Sequence, residues 1–261
     1  MSRIIAVSGG KGGTGKTTSA INLAVAINYF RKKAIVVDCN ITTPNVGIYF
    51  GCPVLPVTLH DVLNGEKEIE DAIYSHKSGT MFVPASISYY NVKNNNLSGL
   101  SRIINKLKMD YIILDVAAGL DIEVRDTLKI ANEVLIITNP ELPAVTDALK
   151  TIKLCEELGK KVMGIVLNKT NSKNEDLATN EIEEILEREI IGIIPEDRYV
   201  KFALAEKEPV VYSYPNAAVS IQFKKLAALI LDEEYNAILP RDVRLSNQLL
   251  NAVLRFFNVR D

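Results

Sequence analysis

Cysteine is scarce. The chain of 261 residues has three, Cys39, Cys52 and Cys155. No two stand at CxxC spacing and the count is odd, which argues against a disulfide framework and against a sequence-local zinc or iron–sulfur site. Free thiols suit a reducing cytosol. Excess basic charge is lacking too: 30 Lys and Arg face 32 Asp and Glu, a net charge of −2. No global field therefore draws the chain to nucleic acid, and a nucleic-acid partner is not expected. Fourteen Gly and ten Pro are too few for a low-complexity or collagen-like chain. No run of about 18 apolar residues is present, so no segment reads as bilayer-spanning. Residues 1–8 run straight into a glycine-rich loop, so no signal peptide is expected. The two histidines, His60 and His76, lack neighbouring ligand patterns and read as structural or surface residues, with His60 opening a short helix at 61–63.

What remains is a globular composition, 48% apolar and 24% charged, enough for a large core. Short β-branched runs recur at residues 4–7, 34–37, 81–83, 111–114, 134–137, 162–166 and 190–194. Several are apolar throughout, as strands buried on both faces of a parallel sheet are. Helical spacing occupies residues 18–31, 144–158, 180–188 and 221–231 between or after them. Lys224-Lys225 before the last apolar run reads as that helix's solvated face. Tyr89-Tyr90 and the polar stretch 91–96 read as an anchored, exposed loop. The alternation predicts an α/β class: a doubly wound, mostly parallel sheet with helices on both faces. Residues 1–232 read as one phosphate-loop domain, 233–242 as a tether around Pro240, and 243–261 as a separate amphipathic helix.

Gly10-Lys11-Gly12-Gly13-Thr14-Gly15-Lys16-Thr17 fits the phosphate-loop pattern G-x-x-x-x-G-K-[ST], with a strand before it and a helix after it. With glycine at about 7% of residues, the bare pattern arises by chance in roughly one chain of this length per hundred. Glycines let backbone N–H groups approach phosphate oxygens, and the following helix adds its positive end. Lys16 would reach the β- and γ-phosphates and the Thr17 hydroxyl would ligate Mg²⁺, with Thr18 completing the nucleotide-binding set. Asp38 and Asp115 end the second and fourth of the runs, where carboxylates face the phosphate loop and can hold Mg²⁺ or its waters. The plainer reading of each is a strand-end turn cap.

Lys11 is a second cation inside the loop, costly unless phosphates compensate it. GKGGTGKT resembles the deviant Walker A motif of the MinD/ParA ATPases, and the resemblance runs from residue 3 to about 231, nearest to archaeal MinD-like proteins. It implies ATP and Mg²⁺ as cofactors, a homodimer on ATP binding in which Lys11 reaches the partner's ATP, and an activating protein partner. It also implies Asp115 as the Walker B aspartate, Asn168 as reader of adenine, and Pro195 and Asp197 as part of the adenine-side loop. An ordinary strand-to-loop turn is the alternative for these last positions. Glu141 falls in a segment similar to one near the family's dimer interface, where it would hold Lys11 or the ribose. Two departures stand out. The family's D-x-D after the second strand is Asp38-Cys39-Asn40 here, so the water-orienting carboxylate is replaced by an amide, a weaker base. The family's D-x-P-A-G is Asp115-Val116-Ala117-Ala118-Gly119, without proline, and Gly119 is expected to offer its N–H near the γ-phosphate. Slow hydrolysis is the expectation that follows from Asn40.

At about 100° per residue, 243–259 gathers Arg244, Asn247, Gln248, Asn251, Arg255 and Asn258 on one arc, opposite Leu245, Leu249, Leu250, Val253, Phe256 and Phe257. Such a helix packs on protein or lies in a membrane interface. MinD proteins end in a membrane-targeting helix of this kind, and the resemblance implies the same here, on a cytoplasmic protein peripheral to the inner face of the membrane. The implied role is the spatial positioning of cell-division or other cargo. A DNA-partitioning ATPase, an iron–sulfur carrier ATPase and a metabolic kinase or synthetase share the scaffold; the first lacks its basic stripe here and the second its paired cysteines.

Overall fold

All seven apolar runs are strands. The structure is a computed structural model that describes residues 2–88, 97, 99–171 and 177–235. Along the chain run β1 (Arg3–Ser8), α1 (Lys16–Tyr29), β2 (Ala34–Asp38), α2 (Val46–Tyr49), α3 (Leu59–Leu63), a 3-10 turn (Ile69–Ala72), β3 (Tyr74–Ser75), β4 (Met81–Val83), α4 (Leu100–Ile104) and β5 (Tyr111–Asp115). Then follow α5 (Ile122–Ile130), β6 (Glu133–Thr138), α6 (Leu142–Glu157), β7 (Lys161–Thr170), α7 (Thr179–Leu186), β8 (Ile190–Pro195), α8 (Arg198–Ala205), α9 (Val210–Ser213) and α10 (Ala218–Leu231). The eight strands form one sheet in the order β3-β4-β2-β5-β1-β6-β7-β8. Every pairing is parallel except β3 with β4.

Two cores form because side chains of a strand alternate between faces. In β1, Ile4 and Ala6 pack beneath α3 to α7, while Ile5 and Val7 pack beneath α1, α2, α9 and α10. Both faces are covered, which is why these strands are apolar throughout. α1 is buried from Ser19 to Ile27, since it lies between the sheet and α10. Asn28, the polar residue that breaks its apolar spacing, locks the turn into β2: it donates to Thr80 Oγ1 at 3.1 Å and accepts from the Ala34 N–H at 2.9 Å.

Differences from the sequence reading have physical causes. β3, α2, α4 and α9 escape it, since each has only two to five residues, too few to establish a period; α5 and α8, of nine and eight residues, escape it too. In α10, Leu226 and Ile230 are buried but Leu229 is 47% exposed. Lys224, expected to be solvated, is buried; its ammonium donates to the Pro215 carbonyl at 2.8 Å and lies over the Tyr29 ring. His60 is a core residue whose Nδ1 accepts from the Ser86 N–H at 3.0 Å. Among the described residues no helix is long and apolar enough to cross a membrane. The loop at 89–96 and the helix expected at 243–261 lie outside the described residues.

Candidate functional site

β1 is flanked by β5 and β6, so the loop leaving its C-terminal end stands where the chain winds off in two directions. That crevice is the usual ligand position of an open parallel sheet. The sequence from Ser8 allows the sharp departure only because of glycine. A Cβ on Gly9 would lie 2.3 Å from the Ile137 carbonyl oxygen, and one on Gly10 would lie 2.5 Å from that of Asp147. Further on, Gly13 and Gly15 have φ of 79° and 94°, the left-handed region that side chains disfavour. A Cβ on Gly15 would also meet the Asn168 amide at 2.2 Å. Gly12 and Gly13 face open space, which leaves room for a ligand to approach the backbone.

Side chains from β7 fix the loop's peptide planes. Asn168 donates from Nδ2 to the Thr14 carbonyl at 2.7 Å, and Lys169 donates from Nζ to the Gly13 carbonyl at 2.7 Å. Asn168 thus braces the phosphate loop with the amide group that the sequence reading assigned to a base. Lys169 and Gly9 carry the same loop and were not foreseen; the signal for Lys169 was its place beside Asn168 at a strand end.

α1 starts at Lys16, so its unpaired N–H groups and positive end face the loop. Lys16 is buried and donates to the Lys11 carbonyl at 3.1 Å. Burial pushes its pKa down, while the charge of Asp115 opposes that. Thr17 donates its hydroxyl to Asp115 Oδ2 at 2.6 Å. The other oxygen, Asp115 Oδ1, is buried with no hydrogen-bond partner among the described residues. Burial lifts the Asp115 carboxyl to about 7 against the Thr17 hydrogen bond and the Lys16 charge. A buried carboxylate oxygen without a partner costs free energy. Beside a threonine hydroxyl, it suits a hard cation that takes oxygen ligands. Thr17 and Asp115 would hold Mg²⁺ in this corner.

Asp38 stands in register with Asp115 across the β2–β5 pair. Its oxygens are committed to its own loop: Oδ1 accepts from the Asn40 N–H at 3.2 Å, and Oδ2 from Asn45 and Val46 at 3.0 and 2.9 Å. Asp38, expected to hold Mg²⁺ or its waters, thus organises its own loop and lends charge to the corner. Burial, then the Asp115 charge, holds its pKa well above the carboxylate range despite three N–H donors. Asn40 is similarly committed. Nδ2 donates to the Thr43 carbonyl at 2.6 Å, and Oδ1 accepts from Thr43 Oγ1 at 3.0 Å.

Of the remaining expected residues, Lys11 and Glu141 meet as an ion pair at 3.1 Å. Gly119 gives its N–H to the Gly10 carbonyl at 2.9 Å, so in this arrangement it braces the loop instead of presenting the N–H to a phosphate. Pro195 ends β8 opposite Thr170. Asp197 caps α8, its Oδ1 accepting from the Tyr199 N–H at 2.9 Å and its Oδ2 from that of Val219 at 3.4 Å. Thr18 lies in the first turn of α1 and accepts from Asn22 Nδ2 through its carbonyl at 2.8 Å.

A phosphate loop at a switch point, with a Thr–Asp corner and a second lysine at its mouth, is matched by what is known elsewhere. The profile of the CobQ/CobB/MinD/ParA nucleotide binding domain matches residues 5–210. The chain belongs to this family. An uncharacterized ATP-binding protein of Methanocaldococcus jannaschii is 36% identical over 244 residues, 92% of each chain. Among solved structures, the cell division ATPase MinD of Pyrococcus furiosus is similar with a TM-score of 0.84 and 34% identity, over 89% of this chain and 99% of that one. The septum site-determining protein MinD of Pyrococcus horikoshii, complexed with Mg-ADP, has a TM-score of 0.83 and 31% identity, over 88% and 96%. The fold is that of the MinD/ParA phosphate-loop NTPases, as the motif implied.

Proposed function

We propose that this protein is a Mg²⁺-ATP-dependent dimerising ATPase switch of the MinD type. The observation that carries the reading is the corner built at the head of α1 by Thr17, Lys16 and the buried oxygen of Asp115 that has no partner among the described residues. The Pyrococcus horikoshii relative, solved with Mg-ADP, supports ATP and Mg²⁺ as the cofactors. Bound there, Mg²⁺ supplies positive charge to the β- and γ-phosphate oxygens.

The chain's own groups do the rest. Lys16 needs only to leave the Lys11 carbonyl to reach phosphate, and its burial strengthens the attraction. A cation held there would favour the ionised form of Asp115. To orient water Asn40 has to give up or share its bonds to Thr43, and an amide removes a proton poorly, so hydrolysis is slow. Lys11 and Glu141 are 38% and 55% exposed, and an exposed pair is worth about 0–1 kcal/mol. A partner subunit's phosphates displace that contact easily, and Lys11 then crosses to them. A ligand that completes its contacts only in the dimer shifts the population to dimer, and hydrolysis reverses it.

The switch positions cell-division or other cargo from the cytoplasm, is reset by an activating protein partner, and docks on the inner membrane face through the amphipathic pattern of 243–259. What supports the membrane part is the sequence pattern and the family. The test is phosphate release with Mg²⁺-ATP together with thermal shift. Hydrolysis that needs Mg²⁺ and disappears in Lys16→Ala supports the reading. A protein that neither shifts with Mg²⁺-ATP nor releases phosphate overturns it.

A further inference from the structure

The loop after β2 and the start of α5 approach the metal corner from two sides, one following Asp38 and the other following Asp115 by a few residues. Within the loop, Asn40 and Thr43 close a turn on each other, and Asn45 Nδ2 adds a bond to the Thr43 carbonyl at 2.8 Å. Asp38 holds the turn's exit through the Asn45 and Val46 N–H groups. The tip of the turn is tied across the crevice. Glu123, in the first turn of α5, accepts the Thr42 N–H on Oε1 at 3.2 Å and the Thr42 hydroxyl on Oε2 at 2.8 Å. One carboxylate thus matches both donors of a single residue 81 positions away. Its negative charge also suits the positive end of α5, and its backbone carbonyl is anchored by Thr127 Oγ1 at 2.8 Å.

We propose that Glu123 is a positioning residue for hydrolysis: through Thr42 it ties the turn bearing Asn40 to α5, so that the loop after Asp38 keeps one arrangement. This rests on the ATPase reading. The residue does its work through Thr42 and Asn40, and nothing requires it to touch nucleotide. It also compensates for the amide at position 40, because a weak water-orienting group depends more on fixed geometry than a charged base does.

Hydrogen exchange and turnover of the full chain test this together, in the parent, Glu123→Ala, Glu123→Gln, Thr42→Val and Glu123→Ala/Thr42→Val. Glu123→Ala is expected to raise exchange at residues 40–46 with and without Mg²⁺-ATP. It should lower kcat about tenfold, the worth of one charge-assisted hydrogen bond, with the Kd for ATP within about twofold of the parent. Glu123→Gln keeps an accepting oxygen and recovers part of both. The double variant is no worse than Glu123→Ala alone, because contacting residues are not additive. Unchanged exchange in Glu123→Ala overturns the proposal, as do additive effects. Loss of all turnover in Glu123→Gln with exchange as in the parent also overturns it, making Glu123 a proton acceptor. If the parent binds Mg²⁺-ATP but never turns it over, the ATPase reading fails while the exchange arm still decides the tie.

Discussion

Replacing Asp115 by asparagine removes a charge that the fold holds at a cost. The carboxyl is buried, and its pKa rises from 3.8 to about 7, chiefly through burial. A group with a raised folded pKa binds more protons folded than unfolded between those two values. Stability therefore falls as pH climbs from about 4 to about 7 and stays low above it. At about 1.4 kcal/mol per pH unit, that rise sets a ceiling of about 4 kcal/mol. Asp38 is raised in the same direction by burial and by Asp115, so it adds to the slope. The amide oxygen introduced by Asp115→Asn would still accept the Thr17 hydroxyl. In urea unfolding at pH 5, 6, 7 and 8 with chelator, the parent should lose stability across the series. Asp115→Asn should be flatter and, at pH 8, more stable than the parent by about 2 to 4 kcal/mol. Added Mg²⁺-ATP should restore the parent and leave the variant unmoved. A variant as pH-sensitive as the parent, or weaker than it at pH 8, refutes the reasoning.

Other outcomes follow from the same geometry. Gly15→Ala puts a Cβ 2.2 Å from the Asn168 amide at a φ of 94°, so it should cost about 1–3 kcal/mol of stability and abolish ATP binding; unchanged calorimetric affinity would show that the loop yields. Asn40→Asp keeps the bonds that Oδ1 accepts from Thr43 and gains a charge and a stronger base, so phosphate release should rise; no gain means residue 40 does not limit the rate. Vesicle co-sedimentation with anionic lipid should be retained with ATP, weakened with ADP, and lost when residues after Pro240 are removed. Sedimentation indifferent to that removal would place any lipid contact elsewhere.

The sheet was legible because strands buried on both faces are largely apolar, and these β-branched runs recur between helical patterns along the chain. The phosphate loop was legible because its glycines answer to backbone geometry, at Gly13 and Gly15, that only they adopt easily. What was not legible is how polar side chains divide between ligand and scaffold. Asp38, Asn40, Asn168, Gly119 and Asp197 all stand at expected site positions, yet each is committed to a backbone partner of the loops. A motif gives a residue's address, while a hydrogen bond depends on which donors the turn brings within reach. Glu123 was invisible for the same reason, its partner lying 81 residues away, and Lys169, whose partner lies 156 residues away, showed only in its place beside Asn168. The short helices α2, α4 and α9 were hidden because one turn has no period.

The central claim is that a second copy of the chain completes the pocket with its own Lys11. Sedimentation equilibrium of the parent and of Lys11→Ala, each with Mg²⁺-ADP or a non-hydrolysable ATP analogue, tests it most directly. The account predicts a dimer only for the parent with the triphosphate, with Lys11→Ala remaining monomeric while still binding the nucleotide. A parent that stays monomeric at saturating triphosphate, or a Lys11→Ala chain that dimerises equally well, would contradict it.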